Sequence, residues 1–461
     1  MEKVVNIIND IIWSPALVIL LVGAGLYFTI RTRCVQVRRI GMMVRLLFKK
    51  HDNSTDPKSM SSFQAFCLSL SGRVGTGNIV GVATAIAIGG PGSVFWMWLI
   101  AFLGASTAFT ESTLAQLYNF KHDKGLRGGP ACYIEKGLKL PHLAVIFAIL
   151  TIVGYGMFIV LVQVNSMSTA FQNAYNVKPI LCGIALAVVL GLVIIGGVKR
   201  IAHVAQVVTP FMAIAYIIIA LVIIFANIES VPGAFKLIFT NAFGINPLAG
   251  GILGTTIAMG VKRGLFSNEA GEGGGAIVSA SAGVDKPANQ GLVQAFSVYI
   301  DTLLVCTATA LMIICSGTYN IIDQVSGELL YAGAPELGNN YVGFTQAAVD
   351  SVFEGFGSGF VSIALTFFVF TTLMAYYFYS ESSLIYIFRV KNKMNTKSEK
   401  FAIWMYRFVL LALVVVGSCT ASDIAWKFGD IGVGLTTWIN VIALLLLFPQ
   451  ALKALNEIDK K

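Results

Sequence analysis

The sequence predicts an all-α integral membrane protein of about eleven transmembrane helices. Composition, the length of the apolar runs and the alternating placement of basic residues carry that reading. Of the 461 residues, 56% are hydrophobic and 12% charged, and the mean hydropathy is +0.78. A soluble domain usually carries about a quarter charged residues. Only a chain whose surroundings are mostly lipid leaves so few groups for water. Apolar runs lie near 11–30, 62–88, 93–119, 142–172, 180–197, 202–226, 246–261, 288–316, 358–380, 401–418 and 428–449. Most reach the roughly 20 residues that cross a bilayer core.

The first run reads as a retained span rather than a cleavable signal. The stretch before it, with Glu2, Lys3 and Asp10, is not basic, and the strong positive cluster follows it. That cluster (Arg31, Arg33, Arg38, Arg39, Arg45, Lys49, Lys50) begins a pattern in which basic residues gather after every second boundary. It continues with Lys121, Lys124, Arg127, Lys136 and Lys139, with Lys199 and Arg200, with Lys262 and Arg263, and with Arg389, Lys391, Lys393, Lys397 and Lys400. The long loop 317–357 has no Lys or Arg but holds Asp323, Glu328, Glu336, Asp350 and Glu354. This positive-inside pattern predicts an external N-terminus, a cytoplasmic C-terminus and residence in the plasma (inner) membrane. It also accounts for the net charge of +9 through the lipid bilayer, so a nucleic-acid partner is not required. No obligatory protein partner is implied.

Two runs are interrupted by glycine and polar residues. The 62–88 run contains Ser71-Gly72-Arg73-Val74-Gly75-Thr76-Gly77-Asn78, and the 246–261 run contains Pro247, Gly250, Gly251, Gly254, Thr255, Thr256 and Gly260. With the first span set aside, these are the first members of two groups of five. An odd number of crossings per group inverts one group relative to the other. Paired broken helices in inverted repeats point to a transporter's midplane site. The predicted organisation is therefore 1–60, an N-terminal helix and basic linker; 61–230, the first five-helix repeat; and 231–461, the second. The plainer reading of the glycines is close helix packing.

A break in a membrane helix frees carbonyls before it, which favour a cation, and N–H groups after it, which favour an anion. In the first break the freed donors are those of Thr76, Gly77 and Asn78. Gln163 and Asn165 interrupt an apolar span and either tie helices together or face a cavity. Thr371 and Thr372 either bond their own backbone or line a site, and Tyr376 one turn on reads as a packing ring. Glu111 is expected to reach the cytoplasmic interface, and Asp301 to be a structural or protonatable partner at depth. Glu269 and Glu272 read as solvated cytoplasmic loop residues. The seven cysteines include no C-x-x-C pair and read as small apolar residues.

Other classes fit less well. An embedded enzyme needs a nucleophile with its base, a metal cluster or a phosphate cradle. The four histidines, His51, His122, His142 and His203, are scattered, no H-E-x-x-H occurs, and G-x-G-x-x-G at 75–80 fails at Val80. A channel would more naturally repeat its filter or charge ring.

The run Val74-Gly75-Thr76-Gly77-Asn78-Ile79, then Gly81-Val82-Ala83-Thr84-Ala85-Ile86 and Gly89-Gly90-Pro91-Gly92, closely resembles the alanine or glycine:cation symporter family. Phe95-Trp96-Met97-Trp98, Arg127-Gly128-Gly129-Pro130-Ala131, Lys262 through Gly271 and Gln290-Gly291-Leu292 extend the likeness over nearly the whole chain. The resemblance implies a LeuT-like 5+5 fold with one added N-terminal helix, and sodium-coupled import of alanine or glycine. Glutamine preference or proton coupling is the variant within the family. It implies that the substrate carboxylate meets Thr76, Gly77 and Asn78, with Gln163 facing the substrate and Tyr376 above it. It places Na⁺ against carbonyls of Ser71 and Val74 and hydroxyls of Thr371 and Thr372. Two departures stand out. Glu272-Gly273-Gly274-Gly275-Ala276 replaces the more frequent Met-Gly-Ser-Ala-Pro, and Arg73 replaces a frequent Thr. Arg73 is expected either to stand in for a second Na⁺, to point into the substrate pocket, or to pair with Asp301 or a free carbonyl.

Overall fold

The computed structural model describes residues 2–48, 58–245, 252–323 and 326–459. Apart from two short hairpins, the named elements are helical. The chain opens with α1 (Glu2–Ile12), α2 (Pro15–Arg31) and α3 (Ile40–Leu47). The first broken span follows: α4 (Ser62–Arg73), a π turn at Gly77–Gly81 and α5 (Val82–Gly89). Ser61 starts α4 with a capping box, its hydroxyl accepting from Gln64 N–H while the Gln64 side chain accepts from Ser61 N–H. Then come α6 (Ser93–Leu117), a hairpin of β1 (Phe120–His122) and β2 (Gly125–Arg127), and α7 (Pro130–Gly137). Next, α8 (Pro141–Val153) joins α9 (Ile159–Tyr175) through a π turn at Gly154–Phe158, and α10 (Pro179–Ile195), α11 (Gly197–Ala226) and α12 (Val231–Ala242) complete this half.

The second half holds α13 (Leu253–Asn268), α14 (Gly274–Ser279) and α15 (Pro287–Val298), which a π segment at Tyr299–Cys306 links to α16 (Thr307–Ser316). A hairpin of β3 (Asn320–Ile322) and β4 (Leu329–Ala332) and helix α17 (Tyr341–Asp350) precede α18 (Gly357–Val390), α19 (Lys397–Ser418) and α20 (Ser422–Asp459). Among the described residues, eight helical stretches are long and apolar enough to cross a membrane, and 77–89 and 179–195 are shorter apolar helices. The chain is thus a multi-pass membrane protein.

Burial separates the helices into an outer ring and an interior. Ile19, Val188, Leu192, Phe211, Ile214 and Phe408 are exposed, as apolar side chains facing lipid should be. The interior is the polar part: Ser71, Thr76, Asn78, Glu111, Gln163, Asp301 and Thr372 are all at most 1% exposed. This inversion keeps polar groups among partners and out of hydrocarbon.

Two expectations are corrected. Pro247, Gly250 and Gly251 lie outside the described residues, but Gly254, Thr255, Thr256 and Gly260 belong to the unbroken α13. Gly260 serves packing: a Cβ there would stand 2.5 Å from the Ser93 carbonyl oxygen and Trp96 Cβ on α6. The interruption falls later, where Glu269 (φ +53°), Gly271 (φ +96°) and Gly273 (φ +99°) turn left-handed between α13 and α14. Lys262 and Arg263 are therefore not loop residues at the end of a span. They lie within α13, where Arg263 grips Asp430 of α20 at 2.9 and 3.1 Å and Lys262 reaches the same carboxylate at 2.7 Å.

Candidate functional site

The first break begins at Val74, which leaves the helix at φ −76°, ψ 91°. Its ends are occupied in opposite senses. On the carbonyl side, the Thr372 hydroxyl of α18 donates to Ser71 O at 2.8 Å and lies 3.3 Å from Val74 O. Two carbonyls and a hydroxyl oxygen thus converge on one point, a donor set suited to a hard cation such as Na⁺. Thr371 behaves differently. It turns to its own helix, donating to Phe367 O and Phe368 O, with Met212 sulfur at 3.4 Å.

On the N–H side, Gly75 N–H donates to Asn78 Oδ1 at 2.8 Å and Thr76 N–H to Gln163 Oε1 at 3.1 Å. Amide oxygens thus accept from both of these freed N–H groups. The Thr76 hydroxyl is buried without a partner. Asp301 orients Asn78: its Oδ1 accepts from Asn78 Nδ2 at 2.6 Å, while Ser267 and Thr302 hydroxyls also donate to its carboxylate. Because the Gly75 N–H can only donate, Asn78 turns its oxygen to Gly75 and its NH₂ to Asp301. Gly77 lies against the end of α13, where a Cβ would come 3.1 Å from Ser267 Cα. Asn165 instead ties helices together, donating to Thr420 O and accepting from Ser422.

Tyr376 is buried one turn beyond Thr372, with its ring 5.2 Å from Tyr155 and 5.7 Å from Tyr379. Arg73, the last residue of α4, turns away from the converging carbonyls. It donates to Gln294 O at 3.1 Å and to the Ser297 hydroxyl on α15. Asp301 is not its hydrogen-bond partner.

The second break brings in residues that the sequence reading set aside. Glu269 and Glu272 are each 1% exposed rather than solvated. Glu269 accepts from Tyr379 at 3.1 Å and Glu272 from Tyr155 at 2.8 Å. Glu111 also differs from expectation: it is fully buried and accepts from Asn440 at 3.1 Å, because α6 is packed on several sides by α13, α15 and α20.

This geometry joins a cation-type donor set to a carboxylate-type donor set across one helix break. A family model described as the sodium:alanine symporter family matches residues 1–461. The chain belongs to that family. It is 47% identical over 469 residues to a putative sodium/proton-dependent alanine carrier protein of Bacillus subtilis (strain 168), covering 100% of this chain and 93% of the relative. A probable sodium/glutamine symporter of the same organism is 41% identical over 461 residues, covering 100% and 91%. A sodium/alanine symporter of Methanococcus maripaludis is 34% identical over 467 residues, covering 99% and 98%. For a member of this family, the signal that could have found the second break was the run Gly271-Glu272-Gly273-Gly274-Gly275. So dense a glycine run cannot continue a helix cheaply.

Proposed function

We propose that this protein imports a small neutral amino acid, alanine or glycine, into the cell together with Na⁺. One observation carries the reading: Ser71 and Val74 carbonyls and Gly75 and Thr76 N–H groups serve the two sides of a single break. Na⁺ would sit between the two carbonyls and the Thr372 hydroxyl. The substrate carboxylate would take the N–H group of Thr76 from the Gln163 side chain and lie beside the N–H groups of Gly77 and Asn78. Opposite charges held close in a low-dielectric interior favour each other's binding, and that mutual preference is the coupling. Tyr376 closes over the substrate, while Arg73, which the sequence also offered as a pocket residue, turns to α15 instead.

The fold that supports this function is an eleven-span arrangement, with α1 and α2 as the added N-terminal element and two inverted five-span repeats, 61–230 and 231–461. The break after α4 and the break after α13 then fall in corresponding spans, which supports the inversion. The N-terminus is external, the C-terminus cytoplasmic and the membrane the plasma membrane, with the basic segments after α2 and α18 on the inner face.

Uptake of labelled alanine, glycine and glutamine into proteoliposomes tests the reading, with an inward Na⁺, K⁺ or proton gradient. Accumulation of alanine or glycine driven by Na⁺ is expected. Equal uptake under all three gradients would remove Na⁺ from the mechanism, and glutamine outrunning both would move the substrate to the glutamine branch.

A further inference from the structure

Four buried carboxylates, Glu111, Glu269, Glu272 and Asp301, lie around the buried guanidinium of Arg73. Arg73 faces all four electrostatically. Asp301 is satisfied by Asn78, Ser267 and Thr302. The other three each leave Oε1 without a partner, and Arg73 leaves Nε and Nη2 bare although it is 1% exposed. Nη2 points at the start of α14, where a Cβ on Gly275 would meet it at 2.7 Å. The guanidinium is thus aimed into the second break, toward three carboxylates that it alone cannot neutralise. Buried charge without compensation is so unfavourable that such groups take up a proton instead.

We propose that Glu269 and Glu272 hold one exchangeable proton between them, and that this second break is a proton-binding site of the transport cycle. The inference rests on the symport reading above and adds a second bound cation, apart from the Na⁺ position at Thr372. The hydroxyls around the pair set it apart from Glu111. Tyr155 meets Glu272, and Tyr379 and Tyr376 face Glu269. A phenol hydroxyl donates to a carboxylate and accepts from a carboxylic acid, so both protonation states keep a partner. Glu111 is met by the Asn440 NH₂, which only donates and offers no acceptor to the O–H of a protonated carboxyl. The groups facing the pair are Arg73 from α4, Glu111 from α6, Tyr155 from the π turn after α8, Asp301 from the π segment after α15, and Tyr376 and Tyr379 from α18. The pair also lies where α13 passes into α14, so a movement of either half-helix changes the distance to Arg73 and with it the hold on the proton. Binding adds H⁺ to one carboxylate oxygen and release returns it to water; no other bond changes.

Proteoliposomes carrying a trapped pH-sensitive dye test this, with equal Na⁺ on both sides and the membrane potential clamped. Addition of external alanine to the wild-type protein should acidify the lumen as alanine enters. Glu272→Gln should abolish that acidification and flatten the dependence of uptake on external pH. Tyr155→Phe, which keeps the carboxylate, should retain acidification with a displaced pH midpoint. Thermal unfolding in detergent identifies a variant that has not folded, in which case Glu269→Gln takes its place. Alanine entry without acidification in the wild type would overturn the proposal, as would unchanged acidification in both folded glutamine variants. Absence of alanine entry under any Na⁺ gradient would instead bring down the symport reading, and this site with it.

Discussion

Asp301 fixes the amide of Asn78: Nδ2 donates to Oδ1 at 2.6 Å, which leaves Asn78 Oδ1 to accept from Gly75 N–H at 2.8 Å. A carboxylate on the π segment after α15 thereby sets the polarity of a side chain inside the first break. Asp301→Ala frees the Asn78 amide to rotate. Alanine binding to the purified protein should weaken by about 1–3 kcal/mol, the usual consequence of losing one partner of a buried hydrogen bond. Asn78→Ala should weaken it by a similar amount. Asn165→Ala should leave affinity unchanged, since Asn165 bonds to the chain near Thr420 and Ser422. Calorimetric titration with alanine reads all three.

The two adjacent threonines of α18 should separate cleanly. Thr372→Val removes the hydroxyl that faces Ser71 O and Val74 O, so the Na⁺ concentration for half-maximal uptake should rise about tenfold or more, as for a loss of at least 1.4 kcal/mol. Thr371→Val removes a bond to its own helix and should shift it little. A Na⁺ titration of alanine uptake at fixed substrate checks the contrast.

Gly275 makes room for Arg73. Gly275→Ala would set Cβ 2.7 Å from Nη2, an overpacking that typically costs about 1–3 kcal/mol. In an Arg73→Thr background the closest obstacle is gone, Ser69 Oγ remaining at 3.2 Å, and the alanine should be better tolerated. Thermal unfolding of the four proteins of this cycle should give a coupling of at least about 1 kcal/mol between the positions.

Much of the first break was legible because its parts are consecutive in the chain. Ser71 through Asn78 carry both the glycines that unwind the helix and the polar groups that use it. Gln163 and Thr372 were readable as polar intrusions in apolar spans. The second break was not placed, because Lys262 and Arg263 read as a membrane boundary. Their partner Asp430 is 167 residues away, and a charge neutralised by so distant a residue looks from sequence alone like a solvated one. The misplaced boundary then put Glu269 and Glu272 in a loop and hid their tyrosine partners. Arg73 shows the same limit: the sequence placed it at the break but could not show that it turns toward Gln294 and Ser297 on α15.

His122, outside the spans on β1, is buried, and its imidazole is held below the ordinary range because burial disfavours the charged ring; Glu399 at 3.1 Å opposes that shift and Arg127 adds to it. The unfolded chain takes up a proton near pH 6.5 while the folded protein does not. Stability from this residue is therefore present above about pH 6.5 and declines as pH falls below it. His122→Gln should flatten that decline between about pH 6.5 and pH 5, read as unfolding temperature in detergent.

The central claim is that Na⁺ and the amino acid bind on opposite sides of the break at Val74 and strengthen each other. Its most direct measurement is alanine affinity of the purified protein by calorimetry in Na⁺ and in K⁺ at equal ionic strength. Linkage requires that Na⁺ tighten alanine binding and that alanine tighten Na⁺ binding by the same factor, about 5–150-fold for a typical coupling. That enhancement should collapse in Thr372→Val. Equal alanine affinity in Na⁺ and K⁺, or an enhancement that survives Thr372→Val intact, would contradict the account.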